Sequence, residues 1–321
     1  MTSTPVEFLA LGLDSGKFFQ KRQNEFAGPC PFCGGGKDRF VIFTNRPFPH
    51  WNWFCRKCGK DGWADQLNPR LREELTPELR IEYARKQQES DIAKKNAQAR
   101  VLATYQKSRI WEKYHKNLTE RHRAWWRSQG IPDKWQDFWQ LGYVSNLALG
   151  RTINRHAYTI PKFGFGGEPV NLDYRIIDPP EYFGKYRPVK GLPAAPFISI
   201  PSHAMTKIGR DLYIVEGAKK AMVLACHKVL PNFNCTYDYD GHSMIIGIPS
   251  CNSWCGIEKD STRFDRKWIM FDPGAEEWAY RIATAIGKHA IVVELPDKPD
   301  DMVLAGATRG DFLAYMRKAE K

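Results

Sequence analysis

No part of this 321-residue chain approaches about 18 consecutive apolar residues, so a membrane-spanning helix is not expected. The opening Met1-Thr2-Ser3-Thr4-Pro5 lacks the basic and apolar regions of a secretory signal, which makes a cytoplasmic protein the expectation. Internal repeats and low-complexity tracts are missing, and 42% hydrophobic residues are enough to fill ordinary cores, so the chain is not a disordered one. A phosphate loop is missing too. The nearest stretch, Gly12 to Phe18, is one residue short of the Walker spacing and has Phe18 where Ser or Thr would hold magnesium. A nucleotide-driven motor is therefore not expected. Acidic residues are the scarcer charge, 36 against 48 Lys and Arg, and the net +12 points to a polyanionic partner.

Of the eight cysteines, four form the pairs Cys30-Pro31-Phe32-Cys33 and Cys55-Arg56-Lys57-Cys58. Each pair sets two thiolates on one tight turn, and two such turns complete a closed tetrahedral Zn²⁺ shell. Such a site is structural, because no position stays open for substrate. Without a secretory signal the pattern favours metal over disulfides. His50 lies in the same stretch, but the cysteines already fill the shell. A module this small draws its folding energy from the metal, on the order of 10 kcal/mol. Lys37, Arg39, Arg56, Lys57 and Lys60 lie among Phe40, Trp51, Trp53 and Trp63, and cations beside stackable rings suit single-stranded nucleic acid. Part of those rings must also serve as the module's own core. Cys226, Cys235, Cys251 and Cys255 are scattered and read as ordinary thiols.

Thr76-Pro77-Glu78 marks a helix start, with Thr as N-cap and Pro in the first helical position, and the helix is expected to reach His115. Between Tyr83 and Ala99 only Ile92 is a large aliphatic residue, so much of this helix should be solvated. From Arg70 to Arg127, 15 basic residues face 8 acidic ones, so more than half the net charge lies here. Two helices, 120–129 and 132–140, follow around Gly130-Ile131-Pro132. Strands at 156–161 and 170–177 then flank a Gly-rich turn. From residue 211 strands (212–215, 244–248, 268–271, 290–295) alternate with helices (218–228, 275–288). That order predicts a mostly parallel sheet with flanking helices. The expected class is a multidomain α/β protein, divided as 1–69, 70–118, 119–210 and 211–321.

Three strands of the last block end in acid: Glu216-Gly217 after 212–215, Asp272-Pro273-Gly274 after 268–271, and the run from Pro296 to Asp301 after 290–295. Open parallel sheets carry their sites at this carboxyl edge. Carboxylates gathered there can hold Mg²⁺ with room left for phosphate.

In this order of features the chain resembles the bacterial DnaG-type primases and their phage and plasmid relatives. The stretches carrying the resemblance are Gly28-Pro29-Cys30-Pro31-Phe32-Cys33 with Asp38-Arg39-Phe40-Val41-Ile42, and Gly130-Ile131-Pro132 with Leu141-Gly142-Tyr143. Glu216-Gly217-Ala218-Lys219-Lys220-Ala221, Asp272-Pro273-Gly274-Ala275 and Lys298-Pro299-Asp300-Asp301 look like the three motifs of that family's TOPRIM domain. The resemblance implies a template-binding zinc ribbon over 1–69 and a basic helical linker over 70–118. It further implies a mixed α+β primase core subdomain over 119–210, the N-terminal part of the RNA-polymerase core, and a TOPRIM catalytic domain over 211–321. Glu216, Asp272, Asp300 and Asp301 would hold catalytic Mg²⁺ or Mn²⁺, and Arg175, Lys185 and Tyr186 would face template and nucleotide.

The implied activity is template-directed synthesis of short RNA primers on single-stranded DNA from NTPs. A separate replicative helicase would deliver the template, in bacterial or host-cell cytoplasm. Two other readings stay open: a catalytically weak relative that binds single-stranded DNA as a replication accessory, and a TOPRIM nuclease. The chain departs from cellular members in having Cys33 where many place His, Lys220 where they carry Asp, and Gly274 in place of a second acid. With that acid gone, one ion should bind weakly unless Glu276, Glu277 or Asp297 supplies an oxygen, and Mn²⁺ should serve better than Mg²⁺.

The charge excess generates a first prediction. Binding to a single-stranded DNA oligonucleotide should weaken by roughly tenfold or more between about 50 and 200 mM salt, because neutralised phosphates release counterions. Fluorescence anisotropy against salt concentration measures the slope, and a flat dependence contradicts it.

Overall fold

The computed structural model describes residues 5, 7–34, 36–46, 50–68, 77–149, 153–180, 184–192, 194–200, 209–231, 233, 243–251 and 257–320. Their contacts divide the chain into two units, Met1–Ala93 and Lys94–Lys321.

The first unit gathers the ribbon around aromatic rings that the cysteine pairs alone would not locate. Helix α1 (Glu7–Ala10) precedes strands β1 (Phe19–Arg22), β2 (Glu25–Gly28), β3 (Phe40–Phe43), β4 (Asn52–Cys55) and β5 (Asp61–Trp63), and α2 (Ala64–Leu67) follows. The strands form one sheet in sequence order, each antiparallel to the next. Its core joins Phe8, Leu11, Leu13, Phe18 and Phe26 to Phe40, Trp51 and Trp53, so residues preceding the first cysteine pair supply much of it. Phe8 meets Phe18 at 5.1 Å and Phe26 at 5.4 Å, both edge-on. Gly28 is required where it stands, since a Cβ there would lie 2.5 Å from the Phe18 ring. This corrects one expectation. Phe40, Trp51 and Trp53 are buried at 0, 5 and 4% exposure, so they are core and not surfaces for bases. Among the described residues of this unit, Phe19, Phe32 and Phe54 are exposed large rings.

The division between units falls within α3 (Pro77–Ser108), where residues 91–100 are all exposed. From Val101 the same helix becomes core. Val101, Leu102 and Tyr105, with Ile110, Trp111 and Tyr114, pack with Leu172 and Tyr174. The expected continuous helix breaks at Arg109, whose φ of 45° is left-handed, and resumes as α4 (Ile110–Lys116). The turn lets Trp111 be buried beside Tyr105, 5.1 Å away.

Helices α5 (Glu120–Ser128) and α6 (Asp133–Phe138) meet at Gly130, whose φ is 80°. Strands β6 (Gly142–Ala148), β7 (Asn154–Phe163), β8 (Pro169–Ile176) and β9 (Tyr186–Pro188) form a four-stranded antiparallel sheet. Then come β10 (Phe197–Ile198), β11 (Gly209–Glu216), α7 (Ala218–His227), β12 (Met244–Ile248), α8 (Ile257–Ser261), β13 (Phe264–Met270), α9 (Glu276–Ile286), β14 (Ala290–Val292), α10 (Pro299–Leu304) and α11 (Arg309–Ala319). Their sheet runs β10-β12-β11-β13-β14, parallel except for the edge strand β10. Parallel strands need both faces covered, and β11 alternates accordingly. Tyr213 and Val215 enter one cluster with α7 and α11, while Leu212 and Ile214 enter another with Ala279, Ile282 and Ile286 of α9. The first cluster also takes in Trp126, Trp139, Tyr158 and Ile160, so the two sheets share a core. Trp139 donates its Nε1–H to the Ser199 carbonyl at 2.8 Å within it.

Lys162 Nζ lies 2.6 Å from Asp173 Oδ2 inside this unit, with side chains 2 and 11% exposed. Asp173→Ala should destabilise the protein by about 3–5 kcal/mol in urea unfolding, because it strands a buried ammonium. Lys162→Met combined with Asp173→Leu should recover most of that loss.

Candidate functional site

The cysteine turns come from the loop after β2 and from the end of β4. Among the described residues, Cys30, Cys33, Cys55 and Cys58 are the only group of three or more such side chains that the fold gathers with ligand atoms all within 4.8 Å. Cys30 Sγ lies 3.9 Å from Cys58 Sγ, and Cys33 Sγ lies 3.8 Å from Cys55 Sγ. A Zn–S length of about 2.3 Å gives a tetrahedron edge of roughly 3.8 Å, so the four sulfurs fit the ion. Backbone amides turn toward them: Phe32 N–H donates to Cys30 Sγ and Cys58 N–H to Cys55 Sγ. Burial pushes the Cys30 thiol up to about 12. At Cys55 burial acts the same way, but hydrogen bonds from the Cys58 and Lys57 amides and from neighbouring thiols outweigh it and bring the thiol down to about 7. Burial also raises the Cys33 thiol, so of the shifted three Cys30 and Cys33 are held protonated and Cys55 is eased toward the thiolate. Of the remaining cysteines, Cys226 and Cys251 are half-buried, and Cys235 and Cys255 lie outside the described residues.

The acids sit at the carboxyl edge of the parallel sheet, as strand order requires. Val215 pairs with Met270, so β11 and β13 end side by side, with Glu216 closing one and Asp272 following the other. Gly217, with φ of 90°, turns the chain directly into α7. Asp300 and Asp301 both lie in the first turn of α10, but Asp300 is 4% exposed and Asp301 faces solvent. The carboxylates do not form a ready-made group of three like the cysteines. Lysines stand among them instead. Lys219 Nζ is 3.1 Å from Asp300 Oδ2, and Lys220 Nζ is 3.1 Å from Asp272 Oδ2. The other oxygen of each acid, Oδ1, is buried without a hydrogen-bond partner. Two orphaned carboxylate oxygens suit a divalent cation, which is what fits the acids to Mg²⁺ or Mn²⁺.

The three residues expected to face nucleotide come from the antiparallel sheet. Arg175 on β8 pairs with Tyr186 on β9. The Arg175 guanidinium lies 4.2 Å over the Trp125 ring, which in turn stacks on Tyr158 at 4.0 Å. Burial lowers the Lys185 ammonium pKa, and the positive charges of Arg175, Lys219 and Lys298 lower it further. Burial raises the Tyr186 phenol, Arg175 opposes that, and Asp173 and Asp300 add to it. Lys185 therefore lies within electrostatic reach of Arg175, Lys219 and Lys298, and Tyr186 within reach of Asp300. From the sequence Lys220 stood out only as a departure from the family pattern, and Lys219 and Lys298 were given no role. A signal was there: Lys219 and Lys220 follow Glu216 by three and four residues, which in a helix puts them on the turn next to the strand ends.

No family model and no curated protein matches the sequence. Among solved structures, the DnaG primase catalytic domain bound to single-stranded DNA superposes with a TM-score of 0.50 at 14% identity, covering 69% of this chain and 82% of that one. The fold is that of a DnaG-type primase catalytic domain. The zinc-binding and RNA polymerase domains of the Aquifex aeolicus primase align over 98% of this chain and 82% of theirs, with 14% identity and a TM-score of 0.46. The primase fragment of the bacteriophage T7 primase-helicase aligns over 93% of this chain and 99% of its own, with 12% identity and a TM-score of 0.43. On this primase fold the acids at the sheet edge and the cations opposite them are side chains from distant parts of the sequence. No described helix is long and apolar enough to cross a membrane.

Zinc uptake by metal-free protein should release protons, because the ligands bind as thiolates. With Cys55 near 7, that thiol is mostly protonated at pH 6.5 and mostly ionised at pH 8, so it adds to the release at the lower pH only. Calorimetry in buffers of different ionisation enthalpy should therefore count more protons at pH 6.5 than at pH 8. Metal analysis of the full chain should find one zinc, lost in Cys30→Ser.

Proposed function

We propose that this protein synthesises short RNA primers on single-stranded DNA by metal-dependent nucleotidyl transfer. The observation that carries the reading is that Asp272 and Asp300, each with an unpartnered buried oxygen, are paired with Lys220 and Lys219, and that Lys219 lies with Arg175 and Lys298 around Lys185. Glu216, Asp272 and Asp300 would hold Mg²⁺ or Mn²⁺, with the exposed Asp301 in a lesser role. When bound, the ion lowers the pKa of the primer 3′-hydroxyl and neutralises charge on the phosphate under attack.

The chain's own side chains supply binding and orientation. Like charges crowded around Lys185 favour an anion among them, and a nucleoside triphosphate is the anion of the right charge. Arg175, held flat by Trp125, and Tyr186 beside it would grip nucleotide and template. The +12 charge and the basic ribbon surface suit a single-stranded template, as in the DNA-bound primase domain of the same fold. A helicase would deliver the template, since these 321 residues hold no Walker loop of their own.

A second reading has an observation in its favour. Lys220 neutralises Asp272, and Gly274 offers no carboxylate, which is the arrangement of a weak enzyme kept for DNA binding.

The test is primer synthesis from labelled NTPs on mixed-sequence single-stranded templates with Mg²⁺ or Mn²⁺. Glu216→Gln and Asp272→Asn should each reduce product by roughly a hundredfold or more, the scale of losing a catalytic ion ligand, while template binding is kept. Asp301→Asn should cost less than Asp300→Asn. Template binding without synthesis by the wild type, with either metal and a helicase present, selects the second reading, and template cleavage selects a nuclease.

A further inference from the structure

Lys219 and Lys220 occupy consecutive positions in the first turn of α7, yet each reaches a different acid. Lys219 meets Asp300 from α10 and Lys220 meets Asp272 from the loop after β13, both at 3.1 Å. These contacts are shielded: the lysine side chains are 24 and 16% exposed and their acids 6 and 22%. Each ammonium occupies Oδ2 and leaves Oδ1 buried without a partner. Half of each carboxylate is thus already committed to a cation the protein supplies, and the other half is set aside for one it does not.

The charge balance points the same way. Glu216, Asp272 and Asp300, with the exposed Asp301, face the ammonium groups of Lys219 and Lys220 and, around Lys219, those of Lys185 and Lys298, and the amino end of α7 adds further positive potential. Two divalent ions side by side need more negative charge than this. The acids that could make up the difference are engaged nearby. Glu276 accepts the Gly274 N–H at 2.7 Å, Glu277 pairs with Arg281 at 2.6 Å, and Asp297 accepts the Lys298 N–H at 2.7 Å. Gly274 has no side chain to offer, and its φ of 88° strains any other residue there.

We propose that this site takes a single divalent ion, through the free oxygens of Asp272 and Asp300 with Glu216 at the adjoining strand end, and that the Lys220 ammonium stands in for a second ion. The inference rests on the metal-dependent reading of this site. An ammonium supplies fixed positive charge without an ion's dehydration cost, but it cannot act as a Lewis acid. The second-ion position would then be permanently filled by the chain.

The experiment counts Mn²⁺ by electron paramagnetic resonance on the zinc-loaded full chain, with primer synthesis measured in parallel. The wild type should bind one Mn²⁺. Lys220→Asp, which trades the ammonium for a carboxylate, should bind two. Lys220→Met should still bind one, roughly tenfold more tightly, the effect of removing a like charge a few ångströms away at a part-buried site. Thermal melts establish that each variant is folded, and should Lys220→Asp fail to fold, the Met variant decides. Two ions or none in the wild type, or unchanged binding in the folded variants, overturns the proposal. Wild-type protein that makes primers while binding two ions overturns this inference alone. Protein that gains its second ion in Lys220→Asp yet never makes primers overturns the primer-synthesis reading alone.

Discussion

The second unit depends on the apolar seam between its two sheets. Trp126, Trp139, Tyr158 and Ile160 from the antiparallel half share a cluster with Phe197, Tyr213, Val215 and Met222 from the parallel half. None of these side chains does chemistry. Yet Tyr158 on this seam supports Trp125, Trp125 supports Arg175, and Arg175 neighbours Lys185 and Tyr186. On the other side, β11 runs from the same seam straight into Glu216 and the lysines of α7. Close packing resists small displacements, so burial on this scale fixes how far the cations of one sheet stand from the acids of the other.

Strand ends and cysteine turns were legible in the sequence because both depend on local spacing. A hydrophobic run closing in Glu-Gly or Asp-Pro-Gly marks a sheet edge wherever it occurs, and two Cys-x-x-Cys turns define a tetrahedron. Other features were settled by partners far along the chain. Trp51 and Trp53 carry no sign in their own neighbourhood that Phe8 and Phe18 will bury them. Arg109 breaks a helix that its propensities would continue, because Trp111 gains a buried place by the turn. The split between Asp300 and Asp301 depends on which of two adjacent side chains α7 covers, and composition holds no trace of that.

The two metal-related centres answer one electrostatic problem in opposite ways. The ribbon gathers four thiols, Cys30 and Cys33 held protonated by burial, so an ion bound there would couple binding to folding. The sheet edge gathers carboxylates and compensates them in advance with lysines, so its fold does not wait for an ion. On the proposed function these are different demands: the ribbon's metal would have to be indispensable, and an ion at the sheet edge would have to be able to exchange.

Helix α3 has a consequence of its own. Residues 91–100 are exposed on every side, so backbone hydrogen bonds hold this segment with little help from burial. Opening it costs far less than opening β11 or α7, and amide hydrogens there should exchange with solvent deuterium early. Lys94, Lys95 and Arg100 also place cleavage points for trypsin in the stretch where the backbone is easiest to unwind, so a brief digestion would divide the protein near the boundary between its two units.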